Sequence, residues 1–446
     1  MEKTNAWMKY PEGEKRTQVF DFAEDYRKFL SACKTERECT SFFEAKAKEA
    51  GYQLLEDAIK EKKSLKPGDK VYVNQMGKSI AMFIIGKEPM EKGMNILGAH
   101  IDSPRLDLKQ VPLYEDTEMA MFDTHYYGCL KKSQRVTLPL ALHVVVAKKD
   151  GTVVNISIGD KENDPVFGVS DLLIHLAGDQ LEKKASKVIE GENLDVLIGS
   201  IPADVEEKDK VKETVKANVL NILLKEYDIE EEDFLSAEIE VVPAGAARDY
   251  GFDRSMVMGY GHDDRVCAYP SFRAMLEVDT PEVTSVCLLV DKEEIGSVGA
   301  TGMQSRFFEN AVAEVMELCG QYSELALRRA LSNSQVLSSD VSAAFDPNYP
   351  SVSEKKNAAY FGKGLVFNKY TGARGKSGSN DANAEYMAHF RAILDKEEVA
   401  YQTSELGKVD QGGGGTIAYI LANYGMQVID SGVAVLNMHA PWEIIS

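Results

Sequence analysis

The sequence predicts an α/β fold in which a mostly parallel sheet is flanked by helices and interrupted by an inserted β-rich domain. Three observations predict this. After Pro243 the apolar pattern alternates between strand and helix, which is typical of a parallel sheet with helices on both faces. Residues 284–290 form a nearly continuous apolar run, as expected of a buried parallel strand. Residues from about 110 to 245 carry hairpin and helix patterns of their own, which indicates a second domain.

The composition is that of an ordinary globular protein and excludes several classes of function. A length of 446 residues favours two domains, or one domain with a large insertion, and we predict a main domain over 1–110 and 246–446 with an insert over 111–245. The net charge of −20 argues against nucleic acid, whose phosphates would be repelled. No apolar run approaches the roughly 20 residues of a membrane span. Six scattered cysteines and an N-terminus without an apolar signal core predict a reduced, cytoplasmic protein.

The first half of the chain predicts two helices and then mainly strands. Apolar side chains between Val19 and Leu30 form one stripe of a helix, and Gly51 closes the second helix of the 17–50 region. In chain order we then expect a hairpin over 70–87, a strand over 95–99, a hairpin over 140–158, a short helix capped by Ser170 that carries His175, a helix over 211–227 and a strand over 238–242. Charged runs at 205–210 and 230–233 predict a solvent-exposed surface on the insert.

The second half predicts the alternating part of the main domain. Its helices are expected near 265–278, 303–319, 321–333, 380–396 and 416–424, and its strands at 284–290, 335–339 and 426–437. Ligands of open α/β sheets bind beyond the carboxyl ends of the strands. The residues that follow each predicted strand are therefore the first candidates for a functional site.

Five segments that reach this predicted edge carry metal-binding side chains. They are His100, Asp263, Glu294, Asp340 and His439. Zinc accepts such a mixture of imidazole and carboxylate ligands, whereas Ca²⁺ and Mg²⁺ prefer oxygen alone. Five ligands are too many for one tetrahedral ion. The set therefore predicts two metal ions, with Asp263 bridging them.

Two further carboxylates have predicted roles beside these ligands. Asp102 lies two residues after His100, so both side chains point to one side of an extended segment, and a carboxylate commonly orients a metal-bound imidazole. Glu293 precedes Glu294 and is not needed as a ligand. We predict that it is the general base for a water held between the metals.

Each of these motifs has a simpler explanation when it is taken alone. Adjacent Glu293 and Glu294 are typical of a solvated turn, and Asp263 and Asp264 are well placed to cap a helix. The capping explanation accounts for one aspartate better than for two, and the role of Asp264 stays open. The convergence of several such segments on one edge favours the metal site.

Together these segments resemble one known family. The motifs, in chain order, are HIDSPRLDLK, GHDDRVCAYP, DKEEIGSVGATG, SSDVSAAFDPNY and NMHAPWE. They resemble the M18 metallopeptidases, the aspartyl aminopeptidase family within the dinuclear zinc exopeptidases, and the resemblance runs from the N-terminal helices to Trp442. Within that family, the sequence resembles a bacterial member.

The resemblance implies an architecture and an assembly. The catalytic α/β domain would be interrupted by a dimerisation domain, and two Zn²⁺ ions, with Mn²⁺ or Co²⁺ as alternatives, would bind at the five positions given above. His175 matches a histidine that reaches into the active site of a neighbouring subunit. The implied assembly is a homo-oligomer, a tetrahedral dodecamer built from dimers.

The resemblance also implies a peptide substrate with an acidic N-terminal residue. Eukaryotic members carry a basic residue for that side chain, and the aligned stretch here contains Arg374 and Lys376 in a different sequence context. We therefore expect a zinc aminopeptidase with a preference for Asp or Glu. The alternatives are a dinuclear carboxypeptidase or deacylase on the same sheet, and a non-catalytic assembly or cargo protein.

Overall fold

A computed structural model of the chain describes residues 4–204 and 212–446, and these form two compact units. The first unit combines the chain up to Ser103 with Ala247–Met438 and Glu443–Ser446. The second unit combines Pro104–Ala246 with His439–Trp442. The predicted charged run at 205–210 and the first residue of the predicted helix at 211 lie outside the described residues.

The described residues contain the following strands and helices. The strands are β1 (Gln53–Leu54), β2 (Lys70–Gln75), β3 (Ser79–Ile84), β4 (Asn95–His100), β5 (Arg105–Asp116), β6 (Met119–Tyr127), β7 (Leu140–Ala147), β8 (Val153–Ile158), β9 (Val196–Gly199), β10 (Ala237–Pro243), β11 (Arg248–Tyr250), β12 (Met256–Gly259), β13 (Ser285–Val290), β14 (Gln335–Ser339), β15 (Ser342–Ala343), β16 (Leu365–Asn368), β17 (Tyr401–Thr403), β18 (Gln427–Gly432), β19 (Ala434–Leu436) and β20 (Glu443–Ile445). The α-helices are α1 (Glu14–Ala32), α2 (Glu36–Glu49), α3 (Leu55–Lys60), α4 (Gly178–Leu181), α5 (Thr214–Tyr227), α6 (His262–Glu277), α7 (Phe307–Leu318), α8 (Glu324–Ser332), α9 (Ala384–Lys396) and α10 (Ala418–Ala422).

The first unit is built on a nine-stranded sheet with the order β1-β2-β3-β13-β4-β14-β18-β16-β17. Its four central strands, β13, β4, β14 and β18, run parallel to one another. Helices α1, α2 and α6 pack on one face, and α7, α8 and α10 pack on the other. Both faces of the central strands are therefore covered, which explains why residues 284–290 are apolar without alternation. The predicted α/β class with a mostly parallel sheet is confirmed.

The prediction that all candidate ligands follow strands of one sheet is wrong. Asp263 follows β12, and β12 belongs to a separate five-stranded sheet with the order β11-β12-β20-β19-β15. The predicted strand over 426–437 divides at Val433 into β18 and β19, which lie in different sheets. The division follows Gly432, where an added Cβ would lie 1.8 Å from the carbonyl oxygen of Asp340. The segment at 340–344 stays hydrogen-bonded beside residues 431–435 across this division, and the close approach at Gly432 leaves no room for a side chain there.

Several predicted helix bounds also change. The helices expected from 303, 321 and 380 are α7, α8 and α9, and each begins three or four residues later than predicted. The helix expected from 416 is α10, which begins at Ala418. Ser170 does not cap the segment that carries His175. That segment is a single 3-10 turn, Ile174–Leu176, whose N-cap residue is Leu173. The side chains of this turn are exposed, so no apolar face is buried against the rest of the unit to stabilise a longer helix.

The second unit contains a six-stranded antiparallel sheet with the order β8-β7-β10-β5-β6-β9. Its apolar core includes side chains from several of these strands together with Val215 and Val219 of α5. The antiparallel pairing accounts for the alternating hairpin patterns seen in the sequence. In the described parts of the chain, no helix has both the length and the apolar character needed to cross a membrane.

Candidate metal centre

Three neighbouring strands of the large sheet end beside one another at the candidate site. His100 is the last residue of β4, and it pairs in register with Val290 at the end of β13. On the other side of β4, Ser338 of β14 pairs with Gly98. Glu294 follows β13 and Asp340 follows β14. The parallel register alone therefore brings one imidazole and two carboxylates to the same edge.

The fourth candidate reaches this edge from the start of α6, which packs against β4. The Nε2 atom of His100 lies 3.1 Å from Oδ1 of Asp263. The same nitrogen lies 3.8 Å from Oε2 of Glu293 and 4.0 Å from Oδ2 of Asp340. One ring nitrogen thus faces three carboxylates.

Asp102 joins His100 to the loop that carries the adjacent glutamates. Its Oδ1 atom lies 3.2 Å from Nδ1 of His100. Its two carboxylate oxygens also accept hydrogen bonds from the backbone N–H groups of Glu293 and Glu294, each at 3.2 Å. Asp102 is fully buried. It therefore holds the imidazole and the glutamate loop in one arrangement, as a carboxylate that orients a metal-binding histidine would.

Asp263 and Asp264 do not cap α6, which removes the simpler explanation for this pair. The N-cap residue is Gly261, with φ +79°, and no side chain makes a capping hydrogen bond. Both aspartates have non-helical backbone angles and are joined by a cis peptide bond. Oδ2 of Asp264 accepts a hydrogen bond from the backbone N–H of His100 at 3.3 Å. Both carboxylates are therefore committed to the strand end rather than to the helix.

The donor atoms fall into two groups that each suit a metal ion. In the described residues, one nitrogen or oxygen atom from each of His100, Asp263 and Glu294 lies within 4.8 Å of the others, and the same holds for His100, Asp264 and Asp340. Oδ1 of Asp264 is buried and has no hydrogen-bond partner among the described residues. Buried polar atoms without a partner are rare, and a bound cation would satisfy this one. The mixed nitrogen and oxygen set fits zinc.

Burial and crowding perturb the acid–base behaviour of this cluster. Burial raises the pKa of Glu294 well above its ordinary range, and the nearby charge of Asp263 raises it further. The pKa values of Asp264 and Asp340 are raised for the same two reasons, burial and neighbouring carboxylates. Burial alone would lower the pKa of His100, but hydrogen bonds to Asp102 and Asp263 raise it overall. A cation at this position would favour ionised carboxylates and a neutral imidazole.

His439 is held within the second unit. Its Nδ1 atom donates a hydrogen bond to the backbone carbonyl of Cys129 at 2.8 Å. Its own carbonyl accepts a hydrogen bond from Nη2 of Arg135 at 2.8 Å. Because Nδ1 carries the proton, the neutral ring has Nε2 as its basic nitrogen. His439 is not a member of either group of donor atoms described above.

Comparisons with known proteins decide the family. The family described as "Aminopeptidase I zinc metalloprotease (M18)" matches residues 29–446. The chain belongs to the M18 aminopeptidase family. A "Probable M18 family aminopeptidase 1" from Clostridium acetobutylicum is 66% identical over the whole chain and 95% of that protein. The M18 family is one of peptidases, so the chain is a metalloaminopeptidase and a peptide hydrolase.

Solved structures agree with this assignment. An M18 aminopeptidase from Thermotoga maritima is 45% identical, with a TM-score of 0.94 over the whole chain and 96% of that structure. A structure described as an S. cerevisiae mApe1 dodecamer is 20% identical, with a TM-score of 0.77 over 96% of this chain and 93% of that one. At that identity the second likeness shows the fold alone.

In the M18 chain the predicted substrate loop holds its two cations differently. Nζ of Lys376 lies 3.0 Å from Oδ2 of Asp381 and 4.0 Å from the ring centre of Tyr370. Arg374 is exposed and makes no hydrogen bond or ion pair with any described residue. The prediction from the sequence gave Arg374 and Lys376 the same role. In the structure, Lys376 is paired with Asp381, whereas the Arg374 guanidinium is available to bind a substrate carboxylate.

His175 lies on an exposed turn of the second unit. Leu172, Leu173, Ile174 and Leu176 are each more than half exposed. His175 makes no hydrogen bond or ion pair within the described chain. Packing within its own unit therefore does not account for this apolar turn, and its predicted role at a neighbouring subunit stays a prediction.

Sequence reasoning missed residues that hold the candidate ligands without resembling ligands themselves. Ser103 and Glu443 both contact the backbone of Asp263. Ser103 lies in the motif HIDSPRLDLK and Glu443 in NMHAPWE, so the only signal was a polar residue three or four positions after a predicted ligand. Asp264, whose role was open, lies among the donor atoms together with Asp340.

Proposed function

We propose that this metalloaminopeptidase uses two zinc ions bound by His100, Asp263, Glu294, Asp340 and His439, with Asp263 bridging them. The observation that carries the proposal is the position of His100 Nε2, 3.1 Å from Asp263 and 4.0 Å from Asp340. The two groups of donor atoms, one with Asp263 and Glu294 and the other with Asp340, support two cation positions. His439 is included on the family resemblance.

The residues of the cluster divide the work of peptide hydrolysis. When bound, zinc polarises the scissile carbonyl and lowers the pKa of water towards about 7. Glu293 is part-buried with its Oε2 atom 3.8 Å from His100 Nε2, and it takes the proton from water and passes it to the leaving amine. Asp102 keeps Nδ1 of His100 occupied, so that Nε2 faces the ligand carboxylates. The carboxylates around the site also attract the free α-ammonium group of a peptide.

We propose further that the enzyme prefers peptides that begin with Asp or Glu. Arg374 supports this preference because its guanidinium is exposed and unpaired among the described residues. Guanidinium groups bind carboxylates through two parallel hydrogen bonds. Lys376 contributes less directly, since its ammonium group is already paired with Asp381.

We propose that the enzyme works as a homo-oligomer, a tetrahedral dodecamer built from dimers through the second unit. The exposed apolar turn at 172–176 supports a contact between copies, because apolar patches of this kind favour association. His175 would then be offered to a neighbouring active site. The free state of all six cysteines supports a reducing, cytoplasmic location.

A panel of aminoacyl and N-acetylated substrates, assayed with zinc, manganese and cobalt, tests the proposed function. We expect cleavage only of substrates with a free amine, and metal analysis of the purified protein should find two zinc ions per chain. Preferential cleavage of blocked substrates would instead identify a deacylase. A single ion per chain would contradict the bridging role of Asp263.

A further inference from the structure

The backbone of Asp263 is held at both its N–H and its carbonyl by side chains from distant parts of the sequence. Its backbone N–H donates a hydrogen bond to Oε2 of Glu443 at 3.0 Å. Its backbone carbonyl accepts one from the hydroxyl of Ser103 at 2.7 Å. Glu443 begins β20, whereas Ser103 follows β4. Two different sheets therefore meet at the backbone of one candidate ligand.

Both contacts are buried, which makes them hard to replace. Ser103 and Glu443 are each 1% exposed, and Asp263 is 3% exposed. A buried backbone group that loses its partner destabilises the fold, since water cannot reach it to replace the hydrogen bond. Glu443 also lies opposite Gly259 in the pairing of β20 with β12, the strand that leads into this segment.

The residues on either side of Asp263 have anchors of their own. The His262 ring contacts the hydroxyl of Tyr26 at 2.8 Å and the carbonyl of Val257 at 3.2 Å. Nη2 of Arg265 donates to the carbonyl of Lys34 at 2.8 Å. The flanking residues are thus held by contacts of their own, and Glu443 and Ser103 hold the backbone N–H and carbonyl of Asp263 itself.

Gly261 shows how closely this segment is packed. It has φ +79°, and an added Cβ would lie 1.9 Å from the Arg265 guanidinium and 2.9 Å from the hydroxyl of Ser103. No side chain fits there without moving these groups. The backbone that leads to Asp263 is therefore pressed against Ser103, and the segment has little freedom to compensate for a lost contact.

We propose that Glu443 and Ser103 are positioning residues that set the direction of the Asp263 carboxylate towards His100. They act through the backbone of Asp263 and do not touch the metals. Partners of metal ligands typically change metal affinity by 10–100-fold when they are removed. This inference rests on the proposed role of Asp263 as a metal ligand.

A purely structural role for Glu443 predicts a different outcome. If Glu443 only stabilises the pairing of β20 with β12, its loss lowers the melting temperature of the metal-free protein and leaves zinc affinity unchanged. If it orients Asp263, zinc affinity falls beyond any change in folding. The two roles are therefore separated by zinc affinity measured on folded protein.

The test measures the zinc dissociation constant by chelator competition for Glu443→Ala, Glu443→Gln and Ser103→Ala, together with the melting temperature of each metal-free protein. We expect Glu443→Ala to weaken zinc binding by about 10–100-fold and Ser103→Ala by about tenfold. Glu443→Gln keeps an oxygen that can accept the Asp263 N–H, so its affinity should lie within a few-fold of the parent protein.

Two further variants serve as controls, one for the loss of a buried carboxylate elsewhere and one for the loss of the ligand itself. Glu240→Ala removes a buried strand carboxylate in the second unit and should leave zinc affinity unchanged. Asp263→Asn should lose zinc; if it binds zinc like the parent, the proposed function fails at this ligand. If Asp263→Asn loses zinc while Ser103→Ala and folded Glu443→Ala keep it, only the positioning role is overturned. If Glu443→Ala does not fold, the zinc affinity of Ser103→Ala alone tests the positioning role, and an unchanged affinity overturns it.

Discussion

The Nδ1 atom of His100 lies 3.2 Å from the Asp102 carboxylate, and that carboxylate also accepts the backbone N–H groups of the two adjacent glutamates. One buried side chain thus fixes both a candidate ligand and the loop of the candidate base. We expect Asp102→Ala to lower zinc affinity by about 10–100-fold, because His100 loses its orienting partner. Chelator competition measures this change. Unchanged affinity would show that the strand end alone orients the imidazole.

The adjacent glutamates have different predicted roles. Glu293→Gln should abolish turnover and leave the zinc content intact, because an amide cannot accept the proton of water. Glu294→Gln should lose zinc as well as activity, because it removes a charged ligand. Metal analysis and kcat measured on the same preparations separate the two. Equal loss of zinc in both variants would contradict the assignment.

The exposed turn at His175 predicts that activity depends on assembly. His175→Ala should strongly reduce kcat while zinc content and oligomeric size stay unchanged, because the side chain acts at a neighbouring site. His125→Ala is a matched control, since it removes another exposed histidine of the same unit. Sedimentation and steady-state kinetics provide the measurements. Full activity of His175→Ala would assign the turn to packing between subunits alone.

The substrate loop predicts a difference between its two cations. Loss of a desolvated charge pair typically costs about 2–5 kcal/mol, so Arg374→Ala should lower kcat/KM for substrates that begin with Asp or Glu by well over tenfold. Lys376→Ala should have a smaller effect, because Lys376 is paired with Asp381. Substrates that begin with Leu or Ala should be nearly unaffected by either change. An enzyme that prefers neutral residues would remove the proposed role of this loop.

Asp430 predicts a dependence of stability on pH that is independent of the metal centre. It is 1% exposed, and its Oδ1 atom accepts a hydrogen bond from Thr416 at 2.6 Å. Burial raises the pKa of Asp430 from 3.8 to about 7. Between these values the folded state binds more protons than the unfolded state, so stability falls as pH rises through that window.

Asp430→Asn removes this titration and keeps an oxygen for Thr416. Relative to the parent protein, the variant should therefore become more stable as pH rises from about 4 to 7, with no further gain above that range. Urea unfolding of metal-free protein at a series of pH values measures the difference. Asp395→Asn, on the exposed surface of α9, supplies the background for losing one carboxylate. A difference that does not change with pH would show that Asp430 is ionised throughout.

Local patterns were sufficient to predict the fold class and most candidate ligands. Apolar runs predict buried parallel strands because such strands are covered on both faces. Residues that follow these strands must lie at one edge, so His100, Glu294 and Asp340 were recognisable from the sequence. The spacing of His100 and Asp102 likewise determined that both side chains face one side of an extended segment.

Only the tertiary structure decided which distant segments complete the site. Asp263 comes from a segment that follows a different sheet, and its contact with Glu443 joins residues 180 positions apart. Lys376 and Arg374 look alike in the sequence, yet only Lys376 is paired with an aspartate. Periodicity reports which face of an element is buried, but it carries no information about which other element covers that face. That information arises from packing, when sheets and helices with compatible surfaces exclude water together.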